Sequence, residues 1–144
     1  MKPKILIPIL LVVAIGAYKF VLAKPTAEAK PKVQGTVYVL GKEFLVNLHD
    51  GQYAKLTVAL VLAHDDTSTE ASGHEGATPP EGYGPMAQEG IVRAEVTDVL
   101  TDATDQQLIE PAGRHELQEK ILKRIRRGTD VKVDEVLFPD VTVQ

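Results

Sequence analysis

Tyr53-Ala54-Lys55-Leu56-Thr57-Val58-Ala59-Leu60-Val61-Leu62-Ala63 is the stretch on which the rest of this chain must organise. Leu56, Val58, Leu60 and Leu62 alternate with Thr57, Ala59 and Val61, a period of two that reads as a β-strand. The second set is also mostly apolar, so both faces of this strand are expected to be at least partly covered. Asp50-Gly51 just upstream is a hairpin signal. Before it, Val37, Val39, Leu45, Val46 and Leu48 mark strand between Thr36 and Leu48, with Gly41-Lys42 as a bulge or turn. The strands on either side of the hairpin are expected to pair antiparallel.

Downstream the pattern changes. Residues 64–90 are rich in Asp, Glu, Ser, Thr, Gly and Pro, and Pro79-Pro80 and Gly82-Tyr83-Gly84-Pro85 resist regular structure, so a mobile surface loop is predicted. Val92, Val96, Val99 and Ala103 then recur at helical spacing, with Arg93, Glu95, Asp98 and Asp102 on the other side. Thr104 and Gln107 form a capping-box pattern for a short helical turn, broken at Pro111 and Gly113. A longer helix is predicted from about Ala112 to Arg127, burying Leu117, Ile121, Leu122 and Ile125 and closing on Gly128 as its C′ residue. Val131 to Gln144 supplies a last strand. Its apolar positions slip register once and Pro139 cannot donate to a ladder, so it is kinked or lies at a sheet edge. The order β-β-loop-α-α-β gives an α+β fold, an antiparallel sheet with two helices on one face.

The remaining long apolar stretch is N-terminal. Ile5 to Ala23 follows Lys2 and Lys4, and as a helix it covers roughly 28 Å, close to the ~30 Å hydrocarbon layer of a bilayer. Ile5, Leu6, Leu10, Leu11, Val12, Val13, Ile15 and Phe20 are its anchoring side chains. The flanking lysines place the N-terminus in the cytoplasm and send the rest outward, which predicts a single-pass membrane protein with an extracytoplasmic working domain. Val21-Leu22-Ala23 also has the spacing of a signal-peptidase site, so a cleaved signal is the competing reading. Three regions follow: lysines and a transmembrane anchor at 1–23, an extended Pro- and Ala-containing stalk at 24–34, and an extracytoplasmic domain at 35–144.

Beyond the anchor the chain has 13 basic and 20 acidic residues, a formal charge of −7. That balance argues against binding nucleic acid through bulk charge. There is no cysteine, which excludes a lipoprotein anchor and a disulfide framework. A local basic strip does exist at Lys120, Lys123, Arg124, Arg126 and Arg127. It reads either as a solvated helix face with cations near a helix C-terminus or, through Lys120, Arg124 and Arg127, as a surface for a partner or a second copy. In the second case the helices and the last strand form the oligomer interface.

No nucleophile elbow, Walker loop, dinucleotide fingerprint or zinc-protease motif is present, so no enzyme activity and no cofactor are predicted. The one cluster with metal-ligand chemistry is His64, Asp65, Asp66, His74 and Glu75. It lies in the Gly/Pro-rich loop, where coordination energy would be spent on ordering the chain, so no metal site is expected. His49, beside the turn, and His115, on a helix, read as surface histidines. Tyr83, set among glycines, reads as a contact point.

From Ile91 to Gln144 the chain resembles the flagellar basal body-associated FliL family. The resemblance is carried by Arg93 to Leu100, Thr104 to Leu108, the turn Glu110-Pro111-Ala112-Gly113-Arg114-His115-Glu116-Leu117, Val136-Leu137-Phe138 and Val141-Thr142-Val143-Gln144. The anchor, stalk and paired strands match the layout of that family. Ile125-Arg126 and Pro139-Asp140 depart from its usual residues at the helix end and in the last strand. The resemblance implies a stomatin/prohibitin-like domain in an oligomer at the flagellar basal body. It also implies association with stator units and membrane-ring proteins, and a part in torque generation, motility and chemotaxis without turnover. A membrane-tethered scaffold or binding module of another envelope assembly is the second reading, and an envelope hydrolase using His64 and His74 the third.

Overall fold

Ten residues with no interruption, Tyr53–Leu62, form the central strand of the domain. The structure is a computed structural model that describes residues 35–70 and 79–144. The anchor positions from Ile5 to Phe20, the stalk at 24–34, and His74 and Glu75 lie outside the described residues. Among the described residues no helix is long and apolar enough to cross a membrane.

Strands β1 (Thr36–Val39) and β2 (Phe44–Asn47) both pair antiparallel with β3 (Tyr53–Leu62). β1 lies against the C-terminal half of β3, Thr36 opposite Leu62, and β2 against the N-terminal half, Phe44 opposite Leu56. The two strands therefore share one edge of β3 as a single broken strand. The break falls where Gly41-Lys42 interrupts the apolar pattern, and Asp50-Gly51 makes the predicted hairpin, with Gly51 at φ 85°. β4 (Val133–Val143) occupies the other edge of β3 in antiparallel register. Its register shifts twice, between the Val61 and Leu62 pairings and between the Thr57 and Ala59 pairings. The second irregularity is where Pro139 sits, so the proline is both in an edge strand and at a bulge, where its missing N–H costs least.

Helix α1 (Glu89–Thr101), the short α2 (Asp105–Ile109) and α3 (Pro111–Gly128) follow. Val92, Val96, Val99 and Leu100 of α1, Leu108 of α2, and Leu117, Ile121, Leu122 and Ile125 of α3 are buried in one cluster with Ala54, Leu56, Val58, Leu60 and Leu62 of β3. The helices thus cover the face of the sheet that carries the even-numbered residues of β3, giving the α+β architecture. On the other face Ala59 and Val61 are also buried, whereas Val37, Val39, Leu45 and Tyr53 are exposed.

The helix ends differ in part from expectation. Thr104 and Gln107 complete the capping box, and each also caps the other's backbone N–H. Pro111 does not end α2 so much as begin α3, at its first position, where a missing N–H is tolerated. Gly113 is helical, and a Cβ there would lie 2.6 Å from the backbone of Gln107, so its smallness lets α2 and α3 meet. Gly128 is not a left-handed C′ residue. The helix runs through it and stops at Thr129, whose N–H and hydroxyl both donate to the Ile125 carbonyl, at 2.9 Å and 2.8 Å.

Candidate interaction surface

Glu89 at the start of α1 gathers one backbone donor from the break between β1 and β2, one from the segment before its own helix, and a side-chain hydroxyl from β1. Its Oε1 accepts from Gly41 N at 3.1 Å, and its Oε2 accepts from Gly84 N at 2.7 Å and from the Tyr38 hydroxyl at 2.5 Å. Glu89 is 1% exposed, the one buried charged residue among the described residues. One helical turn later, Arg93 comes within 3.9 Å of that carboxylate, donates to the Lys42 carbonyl at 2.9 Å and lies 4.3 Å above the Phe44 ring. Tyr83 also faces Arg93, at 5.6 Å, which gives the predicted contact point a cation as its partner. Burial first, and then the hydrogen bond to Glu89, push the Tyr38 hydroxyl up to about 12. The group of residues staples the strand break and the segment before α1 to the helix. Its sequence signals were an acidic residue in a first helical turn and glycines spaced for close approach, neither of which identifies a distant tyrosine.

The loop acids have similar structural duties. Asp66 accepts from Ser68 N and Oγ and, through Oδ2, from Lys132 N at 2.8 Å, while Asp65 pairs with Lys132 Nζ at 2.5 Å. These bonds tie the start of the loop to the entry of β4. His64 and His115 are surface residues, and His49 sits by the hairpin turn, whose Asp50 accepts from Asp105 N at 2.7 Å. Met86, near the end of the loop, is buried against the core.

The basic strip divides between two flanks of α3. Arg126 turns towards β4 and donates to the Val133 carbonyl at 2.9 Å. Lys120, Lys123, Arg124 and Arg127 line a shallow groove of about 220 Å³ on the flank towards α1. There Lys120 pairs with Asp102 at 2.8 Å and Arg124 with Glu95 at 3.4 Å. Lys120 holds the Asp102 carboxyl below the usual carboxylate range, first through the hydrogen bond and then through its charge. Lys123 and Arg127 have no carboxylate within 4.0 Å among the described residues. Of the three cations singled out from sequence, Lys120 and Arg124 pair with carboxylates of α1 and its C-terminal end, and Arg127 has no carboxylate within 4.0 Å among the described residues. Sequence spacing placed Lys123 on the strip but not its freedom, which depends on where α1 carries its acids.

Residues 37–144 match the family described as flagellar basal body-associated protein FliL. The chain is also similar to the flagellar protein FliL of Aquifex aeolicus (strain VF5), with 27% identity over 120 residues, covering 81% of this chain and 65% of that protein. The chain thus spans less than two thirds of the length of this relative. Among the described residues the family match takes in the strands, from the second residue of β1, and the helices, extending the resemblance read from Ile91 to Gln144 back to the first strand. The chain belongs to the flagellar basal body-associated protein FliL family.

Proposed function

We propose that this chain is a non-enzymatic, membrane-anchored component of the flagellar basal body that self-associates and supports stator function and flagellar rotation. The observation that carries the reading is the family match across residues 37–144. The chemistry of the head supports it. Glu89, Arg93, Asp65, Asp66 and Lys132 hold segments of the fold together. In this reading residues 1–23 anchor the chain in the inner membrane with the N-terminus cytoplasmic. Residues 24–34 form a stalk, and 35–144 a stomatin/prohibitin-like head outside the cytoplasm.

The test is in-cell crosslinking from the head of the full-length chain, followed by mass spectrometry of what is trapped. Recovery of stator or membrane-ring subunits together with the chain itself is the expected result. Recovery of the chain with only unrelated envelope proteins overturns the motor assignment and leaves a scaffold of another envelope assembly.

A further inference from the structure

The hairpin turn sets the carboxylate of Asp50 beside a residue without a side chain, Gly51, in the only Asp-Gly pair of the sequence. Both residues are exposed. Gly51 takes φ 85°, and a Cβ built on it would meet nothing within 4 Å, so the turn is unshielded on that side. Each oxygen of Asp50 is nevertheless occupied. Oδ1 accepts from Gln52 N at 3.2 Å, and Oδ2 accepts at 2.7 Å from the N–H of Asp105, the first residue of α2 and 55 residues away in sequence. The Gly51 N–H itself donates to the Leu48 carbonyl at 3.0 Å.

We propose that Asp50 is a site of spontaneous isoaspartate formation, and that the Asp105 N–H holds the reaction in check for as long as α2 stays docked. In the reaction the Gly51 nitrogen attacks Cγ of the protonated Asp50 carboxyl. A C–N bond forms, the carboxyl hydroxyl leaves as water with the amide proton, and a succinimide ring closes. Water then adds to one of the two ring carbonyls. Opening at the α-carbonyl leaves the main chain running through Cβ and Cγ, which is isoaspartate, and opening at Cγ restores aspartate. No oxidant, reductant or cofactor takes part, and the mass is unchanged overall. In the folded chain both reacting groups are engaged: the amide proton is held by Leu48, and the two donors on the carboxylate favour its ionised form, which has no hydroxyl to lose. Of these restraints, the bonds to Leu48 and Gln52 lie within the turn, whereas the bond to Asp105 depends on tertiary structure. The helix that supplies it has five residues, and so short an element opens locally before the domain unfolds. The product lengthens the main chain by one carbon inside a turn closed by the Leu48 N to Gln52 O bond at 2.8 Å, and it moves the carboxylate that reaches α2.

The donor can be removed with little disturbance. Proline is tolerated at the first position of a helix, and Thr104 before it is already extended, at φ −104° and ψ 162°, as a residue preceding proline prefers. Full-length chains in detergent, unaltered or carrying Asp105→Pro or Asp105→Asn, would be aged at neutral pH and digested with trypsin. The peptide Glu43–Lys55 carries the site, and its isoaspartyl form separates chromatographically at equal mass and resists cleavage by an aspartate-specific endoproteinase. Asp105→Pro is expected to accumulate isoaspartate at position 50 at least about threefold faster than the unaltered chain, the scale of one lost hydrogen bond. Asp105→Asn, which keeps the N–H and loses the carboxylate, is expected to match the unaltered chain. Gly113→Ala touches neither reacting group, and it is expected to raise isoaspartate in step with faster hydrogen exchange of the Asp105 amide. If circular dichroism shows that Asp105→Pro does not fold, Gly113→Ala decides. The unaltered chain unfolded in urea gives the unprotected rate. Absence of isoaspartate at position 50 in urea overturns the site itself. Equal rates for the folded and unfolded unaltered chain, for folded Asp105→Pro and the unaltered chain, or for Gly113→Ala and the unaltered chain despite faster exchange at Asp105, overturn the restraint by α2.

Discussion

Glu89 is a carboxylate withdrawn from water at a helix N-terminus, and three hydrogen bonds and a nearby guanidinium offset the loss of hydration. Its strongest side-chain donor comes from β1, 51 residues earlier in the chain, through Tyr38. Tyr38→Phe removes that donor and leaves Oε2 with Gly84 N alone, at an expected cost of ~1–3 kcal/mol in urea unfolding. The raised Tyr38 hydroxyl also has a pH consequence. Folding favours the protonated phenol, so this contribution is fully present below the ordinary value of 10.0 and is lost as pH rises towards about 12. The urea midpoint of the unaltered chain is expected to fall across that interval more steeply than that of Tyr38→Phe. Equal slopes would show that Tyr38 is not the group being titrated.

Among the elements, α2 is too short to be stable alone and depends on its neighbours. Thr104 closes its start, Leu108 is buried in the core, and Arg114 of α3 donates to the carbonyls of Leu108 and Ile109 at 2.9 Å and 2.6 Å, satisfying its end. Gly113 brings α3 close enough for this. In Gly113→Ala the new methyl would meet the Gln107 Cα and carbonyl oxygen at 2.6 Å, and backbone cannot swing aside as a flexible side chain can. The expected loss is ~1–3 kcal/mol, with amides of α2 losing hydrogen-exchange protection before those of β3. Uniform loss of protection across the domain would place the effect elsewhere. The capping box was legible in the sequence because both its members lie within one turn. The role of Gly113 was not, since a glycine shortly after a proline looks like a helix breaker until the neighbouring helix is in place.

Across the whole molecule, several ion pairs and carboxylate hydrogen bonds connect segments distant in sequence. Lys132 holds the Asp65 carboxyl below its ordinary 3.8, chiefly by hydrogen bonding, and Lys120 does the same for Asp102. The Asp105 N–H is the main cause of the lowered Asp50 value. For Asp66, burial is the largest influence and acts upwards, but the Ser68 and Lys132 donors together outweigh it. Groups with depressed folded values contribute stability that is present above 3.8 and is lost as pH falls through the folded values. Stability is therefore expected to decline in acid below 3.8, and Asp65→Asn with Asp102→Asn to show a shallower decline in urea unfolding. Parallel acid profiles for the double variant and the unaltered chain would assign the acid sensitivity to other carboxylates. These exposed pairs are individually weak and screened by salt, so raising ionic strength should reduce the difference.

What the amino-acid order determined by itself is local or periodic: the two-residue alternation of β3, the Asp50-Gly51 turn, the apolar stripes of α1 and α3, and the Thr104–Gln107 box. Each depends on side chains a few residues apart, so backbone geometry alone translates spacing into structure. Short motifs along the chain were also enough to suggest the family. Only the tertiary structure decided that β1 and β2 share one edge of β3, that Glu89 gathers donors from β1, the strand break and the segment before its helix, and that the basic strip divides. Lys120 and Arg124 pair with α1 and its C-terminal end, Arg126 with β4, and Lys123 and Arg127 have no carboxylate partner among the described residues. The reason is physical: whether a charge is paired, and whether a glycine is a breaker or a contact, depends on groups that arrive from elsewhere in the chain, and one-dimensional spacing carries no record of those distances.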